Sequence, residues 1–122
     1  RMMYRIAEKI AEKEGVEAIV TGEIIGEHAS QTLRNLLIQS EALLKQVTIL
    51  RPLAGMNKTE VEKIARQIGT FEISTKPASS CTGAPDKPRT RARMEEVHKA
   101  EKSLDVQGMV EKALRNIEIL EI

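Results

Sequence analysis

The sequence predicts an α/β fold in which short parallel strands alternate with longer helices. Apolar, β-rich runs at 17–21 and 47–50 are each followed by a polar turn, and then by a segment whose apolar residues recur at helical spacing. Such alternation is typical of βαβ units, in which the strands are parallel and the crossovers right-handed. Because two strands alone make a poor sheet, the 122-residue chain is expected to carry the second half of a doubly wound domain.

The first half of the chain is predicted to form helix, strand and helix. The first helix covers 2–14, with Gly15 as its stop. Its apolar pattern begins so early that the chain is expected to start inside a helix of a longer protein. The solvent side of this helix is expected to carry Glu8, Lys9, Glu12 and Lys13. After the first strand, a second helix is predicted over about 29–44, with Ser30 or Thr32 as its cap.

The second half is predicted to be mainly helical. A third helix is expected over 60–67, where Asn57 or Thr59 can provide the cap. Residues 70–74 could add one short strand. Two further helical patterns follow within 91–118 and form a helical tail.

The composition excludes several classes of protein. Aromatic residues make up only 2% of the chain, which argues against a stacking platform for single-stranded nucleic acid. The net charge of +1 argues against a strongly basic binder. The single cysteine excludes an internal disulfide framework, and no group of His, Cys, Asp and Glu has metal-site spacing. No apolar run is long enough for a transmembrane helix, so a cytoplasmic location away from membranes is expected.

The most informative segment is the loop at 21–32, between the first strand and the second helix. Its two glycines and small polar residues are expected at the carboxyl end of the strands, where open α/β sheets bind ligands. Glycine permits close approach of the backbone, and a helix N-terminus offers N–H groups to an anion. An ordinary connecting loop fits the pattern as well. His28 lies in this loop and suits a ligand contact or a capping role, whereas His98 is predicted to be a surface residue.

A second candidate region is the long loop at 75–90, which is rich in Pro, Ser and Thr and contains Cys81. Loops of this length in compact domains are usually functional or disordered. Basic neighbours favour the nucleophilic thiolate, but free cysteines are also among the most buried residues, so a reactive and an inert Cys81 both remain open. The basic residues that follow it suit contacts with RNA phosphates, or simply a solvated helix start. These residues are Lys87, Arg89, Arg91 and Arg93.

Five segments of this sequence carry a family resemblance. They are Arg-Met-Met at 1–3, Ile-Val-Thr-Gly-Glu at 19–23, Ala-Ser-Gln-Thr-Leu-Arg-Asn-Leu at 29–36, Leu-Arg-Pro-Leu-Ala-Gly-Met-Asn-Lys at 50–58 and Ile-Gly-Thr-Phe-Glu-Ile-Ser at 68–74. Together they resemble the catalytic domain of tRNA 4-thiouridine synthetases, which are also called tRNA sulfurtransferases or thiamine-biosynthesis sulfurtransferases. The resemblance extends from residue 1 to about residue 90.

The resemblance implies the fold of the adenine-nucleotide alpha-hydrolases, a Rossmann-like parallel-sheet fold also known as the PP-loop fold. On this basis 1–90 would be the carboxyl-terminal part of the catalytic domain, and 91–122 a helical extension packing on it. Enzymes of this kind adenylate a carbonyl oxygen of a base and release pyrophosphate, after which sulfur displaces AMP. The implied reaction is therefore 4-thiouridine formation in tRNA, with ATP and an expected Mg²⁺.

The resemblance also implies roles for individual residues. Gly22 and Gln31 correspond to nucleotide-binding positions of the family. Cys81 corresponds to the catalytic cysteine that carries or receives the persulfide sulfur, and a low-pKa thiol suits that task. The implied partners are tRNA and a persulfide donor such as a cysteine desulfurase, and a homodimer is compatible with the family.

Two features of the family are missing from this sequence. The Ser-Gly-Gly-x-Asp-Ser loop that grips pyrophosphate does not occur in it, and no second cysteine lies near Cys81. The segment alone is therefore expected to be inactive. Two alternatives stay open: a PP-loop ATPase that acts on another base or on a small-molecule amide, and a non-catalytic remnant that binds nucleotide or RNA.

Overall fold

The computed structural model describes residues 1–27, 30–43, 47–77 and 87–120. The elements in these ranges are α1 (Met2–Glu14), β1 (Ala18–Val20), α2 (Leu33–Ser40), β2 (Thr48–Leu50), α3 (Lys58–Gln67), α4 (Phe71–Ser74), α5 (Met94–Glu101) and α6 (Val106–Arg115). The predicted order of helix, strand, helix, strand, helix is confirmed. None of the helices in the described ranges is long and apolar enough to span a membrane.

The two strands form a parallel pair, as the sequence predicts. Ile19 lies opposite Ile49, and the N–H of Thr21 donates to the carbonyl of Leu50 at 3.0 Å, so pairing continues just beyond the strands. Because parallel strands end at the same edge of a sheet, the residues after β1 and those that start at Arg51 leave the sheet together. The candidate loop therefore begins beside the turn that follows β2.

Local sequence signals define the ends of the first three helices. Of the alternatives predicted for each cap, Thr32 accepts a hydrogen bond from the backbone N–H of Asn35 at the start of α2. Asn57 caps α3 and forms a reciprocal capping box with Glu60. Gly15 ends α1 in the left-handed conformation, with φ at +66°, which is strained for any residue with a Cβ.

The prediction of a strand at 70–74 is wrong, because this segment contains the short helix α4. Gly69 adopts φ of +79° and turns the chain directly after α3. Phe71 then packs under Arg66, whose guanidinium carbon lies 3.4 Å from the ring centroid. Within the described ranges no strand pairs with this segment. Its backbone N–H and C=O groups form the hydrogen bonds of a helical turn instead.

The buried core is small and lies where α1 and α2 meet their neighbours. Its apolar members are Ala11, Leu36, Ile38, Ala42 and Val110. The prediction that Glu8 lies on the solvent side of α1 is wrong, since this residue is only 1% exposed. The helix α6 packs against α1, whereas Glu12 and Lys13 are exposed as predicted.

Ion pairs attach α5 to α1. Both carboxylate oxygens of Glu101 accept hydrogen bonds from the guanidinium groups of Arg5 and Arg1, at 2.8–3.0 Å. These bonds from Arg5 and then Arg1 outweigh the effect of burial and lower the pKa of Glu101 to about 2. Arg1 also pairs with Glu41, just after α2, at 2.7 Å. The end of α5, the first helix of the tail, is thus tied to the α/β part.

Candidate nucleotide and RNA site

Gln31 closes the 21–32 loop with both its main chain and its side chain. Its carbonyl oxygen accepts from the N–H of Gly26 at 3.0 Å, and its side-chain oxygen accepts from the N–H of Ile24 at 2.9 Å. The side-chain nitrogen of Gln31 donates to none of the described residues. The amide is therefore fixed by the loop while its two N–H groups can serve a ligand.

Gly22 borders open space at the start of the same loop. A Cβ built on Gly22 would meet no atom within 4 Å, and its φ is not in the left-handed region. Neither the backbone conformation nor the packing of the described residues demands glycine here. The lack of a side chain instead leaves room for a ligand to approach the backbone.

A hydrogen-bonded ion pair between Glu23 and Arg51 connects the segments that follow the two strands. The carboxylate of Glu23 accepts hydrogen bonds from Tyr4 at 2.6 Å, Thr21 at 2.8 Å and Arg51 at 2.7 Å. Arg51 also donates to Ser40 at 2.8 Å. Burial by itself would raise the pKa of Glu23, but these hydrogen bonds more than offset it, and the net pKa lies below the usual value. Sequence reasoning missed this network, although Glu23 and Arg51 each follow a predicted strand, and parallel strands end at one edge.

Asn35, in the first turn of α2, joins two separate stretches of chain and is 7% exposed. Its side-chain nitrogen donates to the carbonyls of Ser30 at 2.9 Å and Arg89 at 2.7 Å. Its side-chain oxygen accepts from the N–H of Ala92 at 2.9 Å. Both donor hydrogens and the acceptor of this amide are therefore engaged with main-chain groups.

A cavity of about 640 Å³ lies beside this contact and is lined by Arg34, Arg91, Ala92 and Arg93. We call it the arginine cavity. None of the three arginines forms an ion pair within the described ranges. Two of them were predicted as RNA contacts, and Arg34 was missed because nothing local in α2 indicates that residues 91–93 lie against it. Three arginines around one concavity, without an acidic partner among the described residues, suit a phosphate.

The other two residues of the predicted basic patch lie outside this cavity. Arg89 forms an ion pair with Glu96, in which the nitrogen and oxygen are 2.5 Å apart. Lys87 is exposed and does not line the cavity. The structure thus divides the patch into a convergent pair, Arg91 and Arg93, and two residues that do not converge with it.

Cys81 and His28 lie outside the described residues. His98 is exposed, as predicted, and its Nε2 lies 3.1 Å from the carboxylate of Glu41. Across the part of the chain that the structure describes, no cluster of His, Cys, Asp and Glu could hold a metal ion.

Comparisons with known proteins identify the family. The model of the "Thiamine biosynthesis protein (ThiI)" family matches residues 1–106. A probable tRNA sulfurtransferase of Halothermothrix orenii is 45% identical over the whole of this chain, which covers 31% of that protein. A probable tRNA sulfurtransferase of Methanosarcina mazei is 41% identical, again over the whole chain and over 30% of the relative.

A solved structure agrees with these relatives. The crystal structure of a 4-thiouridine synthetase in complex with RNA, with bound ATP, superposes with a TM-score of 0.87. It is 42% identical, and the match covers 98% of this chain and 32% of that one. The chain therefore spans about a third of the length of the proteins it matches. On the family model and the relatives together, the chain belongs to the ThiI family of thiamine biosynthesis proteins.

Proposed function

We propose that this chain is the carboxyl-terminal part of the PP-loop domain of an ATP-dependent tRNA sulfurtransferase that makes 4-thiouridine. The observation that carries the proposal is the Gln31-closed loop at the carboxyl edge of a parallel sheet, with open space at Gly22. Open α/β sheets bind nucleotides at such an edge. A similar chain, at 42% identity, is a 4-thiouridine synthetase crystallised with RNA and ATP. We keep the division between a catalytic part at 1–90 and a helical extension at 91–122.

The geometry supports the nucleotide-binding roles that the family resemblance implies for Gly22 and Gln31. Gly22 leaves the backbone accessible, and Gln31 presents two N–H donors from an amide whose oxygen is already held by Ile24. In the proposed reaction the uridine carbonyl oxygen attacks the α-phosphate of ATP and pyrophosphate leaves, which converts that oxygen into part of a leaving group; an accompanying Mg²⁺ would offset the charge of the phosphates. The contribution of this chain is to bind and orient the nucleotide.

The arginine cavity is the part of the chain that we assign to RNA. Three arginines, Arg34, Arg91 and Arg93, line one concavity beside α2. Phosphate contacts of this kind fix the register of an RNA on a protein without reading its sequence. We therefore assign phosphates of tRNA to this cavity.

Cys81 is our candidate for the sulfur-transferring residue, on the basis of its sequence context and the family resemblance. In the proposed reaction the outer sulfur of its persulfide attacks the adenylated carbon, and AMP departs with the former carbonyl oxygen. A thiol reductant then attacks the Cys81 sulfur of the resulting disulfide, so that the S–S bond breaks and the uridine keeps the outer sulfur. The persulfide comes from a donor such as a cysteine desulfurase. A tRNA substrate fits a cytoplasmic protein, and a second copy of the protein is a compatible partner.

The test is 4-thiouridine formation in tRNA by a full-length sulfurtransferase that contains this sequence, followed by near-ultraviolet absorbance. Cys81→Ser keeps the size and polarity of the side chain but removes the sulfur nucleophile. We expect thiolation to fall by at least about 10³-fold, in line with the loss of a catalytic nucleophile, while ATP binding persists. A Cys81→Ser enzyme that thiolates tRNA at the parental rate would show that another group delivers the sulfur.

A further inference from the structure

The end of the cysteine-containing loop is fastened to the helix that follows the 21–32 loop. Three hydrogen bonds link residues 89–93, which we call the arginine segment, to Thr32 and Asn35 at the start of α2. Asn35 donates to Arg89 and accepts from Ala92, at 2.7 Å and 2.9 Å. The hydroxyl of Thr32 donates to the carbonyl of Thr90 at 2.7 Å. These partners are 54 to 58 residues apart in sequence.

The same asparagine also holds the 21–32 loop. The second hydrogen of its amide goes to the carbonyl of Ser30 at 2.9 Å, and Ser30 is the immediate neighbour of Gln31. One buried amide therefore bridges the two parts of the molecule to which we assign different ligands. Since all of its hydrogen-bonding groups are used, a shift of either part would leave a buried donor or acceptor unpaired.

We propose that Asn35 is a positioning residue that couples the 21–32 loop to the arginine segment, so that ATP at the loop and RNA phosphates in the arginine cavity strengthen each other's binding. This inference rests on the proposed function. Nucleotide bound beside Gly22 and Gln31 would hold Ser30 in place, and through Asn35 it would hold the segment that carries Arg91 and Arg93. Coupling between two binding sites is reciprocal, so RNA must also tighten ATP binding by the same factor.

The decisive variant is Asn35→Asp, which keeps the shape of the side chain. The carboxylate can still accept from Ala92, but it has no hydrogens to donate and faces the carbonyl oxygens of Ser30 and Arg89. Both donated bonds are lost and replaced by repulsion. Asn35→Ala removes all three bonds without adding charge, and it serves as a second variant if the aspartate fails to fold.

The first measurement is the affinity of ATP by calorimetry, with and without tRNA, in a full-length sulfurtransferase that contains this sequence. We expect tRNA to tighten ATP binding at least about fivefold in the parent, within the usual range of coupling between sites. In Asn35→Asp the factor should fall to about one, while ATP affinity without tRNA changes much less. A merely structural role for Asn35 would weaken both ligands and leave the coupling factor unchanged, and that result would overturn the proposal.

The second measurement is amide hydrogen exchange of the peptide that spans the arginine segment. The N–H of Ala92 is one of its protected amides, because it donates to Asn35. We expect ATP alone to slow exchange in this peptide in the parent and not in Asn35→Ala. As a control for general loss of stability, Asp105→Ala removes the cap of α6 and should leave the effect of ATP intact.

The outcomes separate this inference from the proposed function. If the parent does not bind ATP, the proposed function fails. If the parent binds ATP and tRNA but ATP leaves the exchange of the arginine segment unchanged, the function stands and the coupling through Asn35 is refuted. Equal coupling factors in the parent and in both Asn35 variants would refute it in the same way.

Discussion

The arginine cavity makes a quantitative prediction about the salt dependence of tRNA binding. Arg34, Arg91 and Arg93 line one concavity and have no ion-pair partner in the described ranges, whereas Arg89 is already paired with Glu96. Replacing the three cavity arginines by alanine should therefore remove three phosphate contacts. Replacing Arg89 by alanine should remove an intramolecular ion pair instead.

The magnitude follows from counterion release. Each phosphate contact contributes about 0.7 to 0.9 to the slope of log K against log salt. The triple variant should have a slope that is smaller by about 2 to 3. When salt rises from about 50 to 200 mM, the parent should therefore lose about 20- to 40-fold more of its affinity for tRNA than the triple variant does. Arg89→Ala should change the slope by much less than one contact.

The assay is fluorescence anisotropy of labelled tRNA with a full-length sulfurtransferase that contains this sequence, titrated at several salt concentrations without ATP. Circular dichroism of each variant checks that the helices persist. An unchanged slope in the triple variant would refute the assignment of phosphates to the cavity. A slope that drops equally for Arg89→Ala would show that ion pairing does not decide which arginines meet RNA.

Two further predictions concern the nucleotide loop and the attachment of the helical tail. Gly22→Val should weaken ATP binding at least about tenfold by calorimetry, because the branched side chain fills the ligand space while the surrounding protein tolerates a Cβ. The matched control is Gly55→Val, at another glycine where a built Cβ would have no atom within 4 Å. Equal effects of the two substitutions on ATP affinity would contradict the assignment. Glu101→Gln should lower the free energy of unfolding by about 1–3 kcal/mol at neutral pH. The pKa of Glu101 is lowered in the folded state to about 2, so its contribution is complete above the ordinary value of 4.5 and is lost as the pH falls towards 2. Urea unfolding of both proteins at pH 7 and pH 3 should therefore show a difference that shrinks in acid, and a constant difference would be contrary to this reasoning.

Features that depend on neighbouring residues in the sequence were predicted well. The apolar period of α1 and the stop at Gly15 are local, and so is the capping box at Asn57. The parallel pairing of β1 and β2 follows from the helical crossover between them. The edge of the sheet that carries the loop could be predicted for the same reason.

Features that depend on distant residues could not be predicted in this way. A short apolar segment such as 70–74 suits a strand or a helix equally, and within the described ranges no strand lies beside it for it to pair with. Glu8 has a charged side chain on an amphipathic helix and is buried, and α6, which packs against that helix, lies about a hundred residues later in the chain. The contacts of Asn35 with 89–92 are equally remote. The resemblance placed Asn35 within a matched segment, yet only the structure shows what it holds.

The hydrogen bonds between Asn35 and the arginine segment involve only main-chain atoms of that segment. Carbonyl groups occur in every residue, and an N–H group occurs in every residue except proline. The side chains at 91 and 93 can therefore be exchanged without disturbing the attachment, which makes these positions suitable for libraries that alter the affinity for RNA phosphates. Residue 92 is the exception to this freedom, because proline there would have no hydrogen to donate to Asn35.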